Sequence, residues 1–173
     1  MTVDVRLQMV ALLPRLRRFA LSLTGARDRA DDLVQSTCER ALQSTDQWVP
    51  GTKLDSWMFR IMRNLFIDGL RKTKGEGRPE PVEEALDAVG DDGERLAEAR
   101  LTLSAVEKAI GALPEDYRSV LVLVCVEDLS YKEAAAVLDI PIGTVMSRLS
   151  RARQGLAEAV GGAPSRPARR LDA

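Results

Sequence analysis

Residues 129–153 read LSYKEAAAVLDIPIGTVMSRLSRAR and contain two short helical patterns separated by a turn. Ser130, followed three residues later by Glu133, can form a capping box that fixes the start of the first helix. Pro141 stands where a proline favours the opening of the second helix. Two helices joined by a short turn are typical of a helix-turn-helix, so this stretch favours DNA as a partner.

The second of these helical patterns separates an apolar stripe from a polar and basic face. The residues of the apolar stripe are Val145, Leu149, Ala152 and Leu156. The residues left pointing outward are Thr144, Ser147, Arg148 and Arg151. Hydroxyl and guanidinium groups suit the base edges and phosphates of a major groove. A helical hairpin with a basic face also occurs in bundles that bind no nucleic acid, so this segment alone leaves both interpretations open.

The composition is that of a folded protein with one or two small domains: 173 residues, 45% of them hydrophobic and 29% charged. No run approaches the roughly 18 apolar residues of a membrane span. The start MTVDVRLQMV lacks the basic and apolar regions of a signal peptide, so a cytoplasmic protein without membrane insertion is expected. Cys38 and Cys125 are predicted to be buried reduced thiols. Without any histidine, neither a metal site nor a cofactor is expected.

Charge is distributed unevenly along the chain. Residues 1–72 carry 12 basic against 8 acidic side chains, whereas residues 73–99 carry 3 against 9 and are rich in Gly and Pro. That composition predicts a flexible acidic linker. We therefore expect an all-α protein of two small helical domains, residues 1–72 and 100–160, the second containing the helix-turn-helix. Residues 161–173 are expected to form a disordered basic tail.

The first two helical patterns of the N-terminal domain have different features. Pro14 interrupts the first pattern and either kinks the helix or begins it. The second pattern follows Asp28 and has a polar face made of Asp31, Asp32, Gln35 and Glu39. With no histidine and no second carboxylate cluster nearby, a protein-docking or solvated face is favoured over metal binding or catalysis.

The third pattern of this domain, WMFRIMRNLFIDGLRK at residues 57–72, has one apolar and one basic side. The residues expected to face inward are Met58, Ile61, Met62, Leu65, Phe66 and Leu70. Those expected on the opposite side are Arg60, Arg63, Asn64, Asp68, Arg71 and Lys72. A basic helix after a polar loop with Trp48 suits stacking on unpaired bases and contacts to one strand's phosphates. For Trp57, packing inside the bundle is the favoured interpretation.

Residues 113–131, LPEDYRSVLVLVCVEDLSY, could be taken for a buried strand because of their Val and Leu run. The apolar positions nevertheless keep helical spacing, and Pro114 suits a first helical turn. This segment is predicted to be a helix that supports the helix-turn-helix.

These segments occur in an order that resembles the bacterial sigma factors of the extracytoplasmic-function type. They are DRADDLVQSTCERAL, the loop with Trp48, SWMFRIMRNLFIDGLRK, LPEDYRSVLVL and the stretch at 129–153. The resemblance covers residues from about 10 to about 158. It implies a subunit that binds core RNA polymerase and promoter DNA, directs transcription initiation and has no enzymatic activity, cofactor or small-molecule substrate. It also implies an anti-sigma factor as a partner and a role in a stress or envelope response.

The resemblance further implies a role for each polar face. The face of Asp31, Asp32, Gln35 and Glu39 would dock on the clamp helices of the polymerase's largest subunit. The residues expected at the -10 element, where a base is flipped from the stack, are Arg60, Arg63, Asn64 and Trp48. The outward residues of the helix-turn-helix, Thr144, Ser147, Arg148 and Arg151, would read the -35 element.

Two residues depart from the family's usual pattern. Asp139 stands in the turn where glycine is frequent, and we expect the turn to survive because aspartate tolerates a left-handed backbone better than most residues. Met146 occupies a position that is often basic in relatives. A thioether cannot pair with guanine or phosphate, so the preferred DNA sequence is expected to differ.

Three alternative classes remain at this stage. A simple helix-turn-helix repressor or activator would protect an operator without polymerase. A sigma mimic would bind an anti-sigma protein without touching DNA, but such proteins usually carry a receiver domain, for which two helical units leave no room. An enzyme is disfavoured because the chain has no histidine, no phosphate-binding glycine loop and no paired nucleophile and base.

Overall fold

The computed structural model describes residues 2–75 and 94–161. The α-helices in these ranges are α1 (Thr2–Thr24), α2 (Arg27–Gln43), α3 (Leu54–Gly75), α4 (Glu94–Gly111), α5 (Glu115–Leu121), α6 (Tyr131–Leu138) and α7 (Ile142–Val160). The described ranges contain no strand, which confirms the predicted all-α class. No helix in them is long and apolar enough to cross a membrane.

Helices α1, α2 and α3 pack together as the N-terminal domain. Its centre is formed by fully buried side chains of α1 and α3: Leu16, Phe19, Met58, Phe59 and Met62. Removing these large apolar groups from water is the main force that holds the three helices together. Phe59 was not among the residues predicted to face inward, whereas Leu70, which was, is 40% exposed.

Pro14 lies inside α1, so the alternative in which it begins the helix is wrong. Because proline has no N–H, the backbone hydrogen bond that would normally start at this position is absent. The helix ends at Thr24, and Gly25 with φ 68° turns the chain into α2. A left-handed backbone of this kind costs glycine little because it has no Cβ.

Helices α4 to α7 form the C-terminal domain, in which α7 packs on α4, α5 and α6. Its buried side chains include Val120, Leu121, Leu123, Val145 and Leu149. The predicted apolar stripe of α7 is confirmed, with Leu156 partly buried at its end. The predicted helix at residues 113–131 is confirmed as α5 and the turn that follows it.

After Leu121 the helix widens into a π-helical turn at Val122–Val126. The Glu127 N–H donates to the Val122 carbonyl at 2.9 Å, across five residues instead of the usual four. Cys125 in this turn is exposed and Cys38 in α2 is half-buried, so the prediction of two buried thiols is wrong for Cys125. A helical pattern extended through 113–131 cannot anticipate this turn, because the extra residue shifts the face on which each later side chain lies.

The predicted acidic linker at 73–99 overlaps both domains at its ends. Helix α3 continues to Gly75 and α4 begins at Glu94. Residues 76–93, and with them most of the predicted linker, lie outside the described residues, as does the predicted tail from residue 162 onward.

The two domains pack against each other. Helix α1 contacts α5 and the π-helical turn, and α3 contacts α6. The first helix of the helix-turn-helix therefore lies against the basic helix of the N-terminal domain.

Candidate nucleic-acid interface

The helix-turn-helix predicted from residues 129–153 is present, and its first helix is capped as expected. The Glu133 N–H donates to Ser130 Oγ at 3.3 Å, and Glu133 Oε2 accepts from the Ser130 N–H at 2.8 Å. Asp139 ends α6 in the left-handed conformation with φ 54°, so the expectation that the turn survives without glycine is confirmed. Pro141 immediately precedes the first residue of α7. Together these contacts fix the direction in which α7 leaves the turn.

The polar face of α7 is only partly open to solvent. Ser147 and Arg151 are exposed, whereas Thr144 and Arg148 are half-buried. Arg148 Nη1 lies 3.1 Å from Asp116 Oδ1 on α5, and Arg151 Nη1 donates to the Tyr117 hydroxyl at 3.3 Å. The prediction that Arg148 points freely outward is therefore wrong, because α5 holds its guanidinium group.

The same end of α7 also exposes two apolar side chains. Ile142 is 45% exposed and Met146 is 53% exposed, one helical turn apart. Apolar side chains in a major groove contact the methyl group of thymine. Ile142 was not predicted as a site residue, although its position one turn before Met146 was a signal available in the sequence.

On α3 the three predicted DNA-contacting residues differ in exposure. Arg60 and Asn64 are exposed, as predicted. Arg63 is 11% exposed, and its Nη1 lies 3.3 Å from Glu115 Oε1 on α5, although neither atom makes an aligned hydrogen bond. Its guanidinium carbon also lies 5.8 Å from the centre of the Phe66 ring. The prediction that Arg63 lies on the solvent side is wrong because the C-terminal domain covers that part of α3.

Glu115 occupies an unfavourable position for a carboxylate. Its burial raises the pKa above the ordinary value, and the positive charge of Arg63 opposes that rise only in part. A carboxylate oxygen that loses water without gaining a hydrogen bond, as Oε1 does here, destabilises the charged form.

The loop between α2 and α3 contains a short 3-10 turn at Thr45–Gln47 followed by Trp48. Trp48 is half-buried, and its Nε1 is inaccessible and has no hydrogen-bond partner among the described residues. Trp57 packs against the core, which confirms the interpretation favoured for it. An aromatic ring that stacks on an unpaired base must expose one of its faces. The indole of Trp48 is more enclosed than that.

The acidic face of α2 is exposed along its length. Asp31 pairs with Arg17 of α1 at 2.7 Å, Asp32 is exposed, and Gln35 Nε2 donates to Glu39 Oε1 at 3.0 Å. No group of three residues able to hold a metal ion occurs among the described residues. This face is therefore available to another macromolecule.

One polar cluster between the domains was not predicted. The Glu127 side chain is fully buried and accepts hydrogen bonds from Arg15 and Arg18 of α1. Arg15 also contacts Asp55 of α3 at 2.7 Å. We call Glu127, Arg15, Arg18 and Asp55 the Glu127 cluster. Its members come from three distant parts of the sequence, and no local spacing could have indicated their contact.

Comparison with known proteins identifies both domains. Sigma-70 region 2 matches residues 9–76, and Sigma-70 region 4 matches residues 103–156. Over 156 residues, or 90% of the chain, the sequence is 40% identical to the ECF RNA polymerase sigma factor EcfG of Rhodopseudomonas palustris, and it covers 84% of that protein. The chain belongs to the extracytoplasmic-function sigma factors. As a sigma factor, it directs promoter recognition and transcription initiation by RNA polymerase.

Two solved structures resemble this sigma factor over almost its whole length. One is the sigma factor RpoE of Bartonella quintana, in complex with the anti-sigma factor NepR, with a TM-score of 0.76 and 34% identity over 91% of this chain and 97% of that one. The other is CnrH in complex with the cytosolic domain of CnrY, with a TM-score of 0.65 and 27% identity over 93% and 90% of the two chains. The family predicted from the sequence is confirmed.

Proposed function

We propose that this sigma factor contacts a promoter at two places, with α7 at the -35 element and α3 at the -10 element. The observation that carries this proposal is the partly exposed polar face of α7, which a capped α6 and a left-handed turn hold in a defined direction. On that face Ser147 and Arg151 offer hydrogen-bond donors, while Thr144 and Arg148 lie beside them. Groups of these types bind base edges and phosphates in the major groove.

At the -10 element the proposed contacts come from α3 and the loop before it. Arg60 and Asn64 are exposed and suit phosphates and an unstacked base. Arg63 and Trp48 are assigned to the same site. Arg63 is covered by Glu115 of α5, and the Nε1 of Trp48 is inaccessible to solvent. Capturing a flipped base costs a few kcal/mol of stacking, which contacts in the pocket must offset. The N-terminal domain would therefore melt the -10 element by holding one separated strand.

The acidic face of α2 is the proposed docking surface for core polymerase. Asp31, Asp32, Gln35 and Glu39 are exposed, and the three carboxylates among them suit a basic partner surface. In this role the face binds the clamp helices of the largest subunit. The polymerase supplies all catalysis, and the sigma factor needs no metal, cofactor or small-molecule substrate.

The segment between the domains and the C-terminal tail have supporting roles in promoter binding. The acidic segment between α3 and α4 lets both domains bind one promoter, so that two weak contacts combine through effective concentration. The basic tail contributes at most a weak attraction to phosphates. Both domains act in the cytoplasm, where the polymerase and its template are found.

A protein inhibitor is the remaining proposed partner. Two related sigma factors have been solved in complexes, RpoE with the anti-sigma factor NepR and CnrH with the cytosolic domain of CnrY. By analogy, this sigma factor is held inactive by an anti-sigma factor and released in a stress or envelope response. A purified partner that lowers sigma-dependent transcription, and leaves transcription by bare core polymerase unchanged, would support this assignment.

Transcription with purified core polymerase tests the central proposal. Start sites are mapped across a genomic DNA library with and without the sigma factor. We expect sites that depend on the added chain and share a two-part upstream signature. If the loaded polymerase initiates no more selectively than core polymerase alone, the proposed promoter contacts are wrong.

A further inference from the structure

The middle of the exposed face of α7 carries no charge. Between residues 142 and 150 the exposed residues are Ile142, Gly143, Met146, Ser147 and Ser150. The arginines next to this set, Arg148 and Arg151, both contact side chains of α5. Arginine is the usual partner of guanine in a major groove. A base that meets the middle of this face is therefore read without a guanidinium group.

Ile142 and Met146 form an apolar pair on this uncharged surface. They are 45% and 53% exposed and stand one helical turn apart. Side chains at this spacing have Cβ atoms about 5–6 Å apart. The bases along one DNA strand follow one another every ~3.4 Å along the helix axis. The pair can therefore meet two bases that lie one or two steps apart.

Exposure alone does not distinguish this pair, because single apolar side chains are common on protein surfaces. Val160, at the other end of α7, is also 44% exposed. The distinguishing features are the position of the pair at the start of the second helix of a helix-turn-helix and the glycine beside it. The start of that helix is the part that lies against base edges in the major groove.

Gly143 lies next to Ile142 and one turn before Met146 and Ser147. Its backbone is helical, and a Cβ added to it would meet no atom of the described residues within 4 Å. Neither a turn nor packing within the chain therefore requires glycine here, although glycine weakens a helix relative to alanine. Glycine does let another molecule approach the backbone closely. Gly143 thus favours close contact of DNA with this end of α7.

We propose that Ile142 and Met146 select thymine at two positions of the -35 element, one or two base steps apart, by packing against its methyl groups. This inference rests on the proposed placement of α7 at the -35 element. Of the four bases, only thymine displays a methyl group in the major groove. The hydroxyl of Ser147 can bond to several kinds of base and discriminates less. The apolar pair therefore sets the sequence preference in the middle of the face.

The test begins by finding the preferred -35 sequence. Core RNA polymerase loaded with the full chain selects from a library of duplex promoters in which the -35 segment is randomised. We expect a selected sequence with thymine, on either strand, at two positions one or two steps apart. A selected sequence without such thymines would overturn the proposal.

Replacing each selected thymine by deoxyuridine then removes the methyl group and leaves base pairing unchanged. Binding of the loaded polymerase to labelled duplex promoters is measured by fluorescence anisotropy. Each replacement should weaken binding about fourfold, because it removes the burial of roughly one carbon group. Deoxyuridine at -35 thymines outside the two positions should have no effect. Full affinity after replacement at both positions would contradict the proposed contact.

Alanine variants of the sigma factor assign each methyl group to a side chain. Met146→Ala should abolish the deoxyuridine effect at one position, and Ile142→Ala should abolish it at the other. Val160→Ala is the matched control, since it shortens an exposed aliphatic side chain on the same helix and should keep both effects. All three changes introduce a strong helix former at an exposed site, and circular dichroism checks that the fold is retained. A deoxyuridine effect that persists in both Met146→Ala and Ile142→Ala would overturn the assignment.

Met146→Arg provides a change of preference instead of a loss. It places a guanidinium group in the middle of the face, and repeated selection should then yield guanine in place of one thymine. Retention of that thymine in the Met146→Arg selection would count against a contact with Met146.

Failure of the underlying placement of α7 looks different. The loaded polymerase without substitutions would then select no preferred sequence from the randomised -35 segment, and the inference would fail with the placement. If α7 is placed correctly and only the inference is wrong, a preferred -35 sequence is selected but its affinity does not depend on thymine methyl groups.

Discussion

Phe19 of α1 and Phe59 of α3 meet edge to face, with ring centres 5.2 Å apart and ring planes at 74°. Both side chains are fully buried, and the guanidinium carbon of Arg15 lies 5.5 Å from the centre of the Phe59 ring. The aromatic pair therefore joins the core of the N-terminal domain to the Glu127 cluster.

Phe59→Ala should lower the free energy of unfolding by about 3–5 kcal/mol, because it leaves a cavity beside Phe19 and removes the surface on which Arg15 rests. Leu70→Ala on the same helix is the control, since Leu70 is 40% exposed. Its cost should stay within about 1 kcal/mol. Urea denaturation followed by circular dichroism measures the free energy of unfolding of both variants. If the two substitutions lower it equally, Phe59 is not central to the core.

Leu121→Asp should unfold the C-terminal domain because it places an unpaired charge in its core. Leu121 is 4% exposed, whereas Val126, five residues later, is 48% exposed. Val126→Asp is therefore the matched control and should leave the fold intact. Amide spectra recorded by nuclear magnetic resonance distinguish the two, and a folded Leu121→Asp domain would contradict the observed packing.

Glu133→Gln should destabilise the helix-turn-helix in a pH-dependent manner. Desolvation acts to raise the pKa of Glu133, but hydrogen bonds from Lys53 and Ser130 outweigh it and hold the pKa below its ordinary value. The charged carboxylate therefore stabilises the folded state at pH values above the ordinary glutamate pKa of about 4.3, and this stabilisation disappears as the pH falls through the lower folded-state pKa.

At pH 7 we expect Glu133→Gln to cost roughly 0.5–1 kcal/mol, since its partner Lys53 is largely exposed to solvent. The difference from the unsubstituted chain should shrink toward pH 3. Thermal denaturation over this range measures it, with Glu158→Gln as a control that should show no such trend. A difference that grows as the pH falls would contradict the capping contact.

Arg148→Ala and Asn64→Ala should damage different halves of a promoter. Each loses contacts worth about 1–3 kcal/mol, which corresponds to roughly a 5-fold to 150-fold loss in binding. Arg148→Ala should make transcription insensitive to sequence changes in the -35 element. Asn64→Ala should make it insensitive to sequence changes in the -10 element. Arg153→Ala is a useful control because Arg153 contacts Cys125 on another side of α7. Identical responses of the two variants to promoter changes would argue against the proposed division.

The two cysteines should differ in reactivity. Cys125 is exposed, whereas burial and, to a lesser extent, the charge of Glu39 raise the pKa of the half-buried Cys38 thiol. Because the thiolate is the reactive form, iodoacetamide at pH 8 should modify Cys125 about tenfold faster than Cys38. Mass spectrometry of the two peptides measures the rates, and the difference should disappear in urea. Faster modification of Cys38 would be inconsistent with its burial.

The features that the sequence predicted well are those with local signals. The capping box at Ser130, the turn at Asp139 and the apolar stripe of α7 each depend on residues within a few helical turns of one another. Such spacing specifies which side chains share a face. The order of these segments along the chain was enough to identify the family.

The features that the sequence could not predict depend on residues far apart in the chain. Arg15 and Glu127 are separated by 112 positions, and Arg63 meets Glu115 only because the domains pack together. Phe59 was missed because α3 packs on α1, α2 and α6, so its buried surface is wider than the single stripe that periodicity reveals. Cys125 was misplaced because the π-helical turn changes the helical spacing around it.

The contact of Glu127 with Arg15 and Arg18 depends on the number of residues in the widened turn at Val122–Val126. An inserted residue rotates everything after it by about 100° relative to an ordinary helix, given 3.6 residues per turn. Shortening the turn by one residue would carry Glu127 around the helix axis and away from Arg15 and Arg18, with no change in its chemistry. Deleting one residue here would therefore remove the contact as effectively as replacing Glu127 itself.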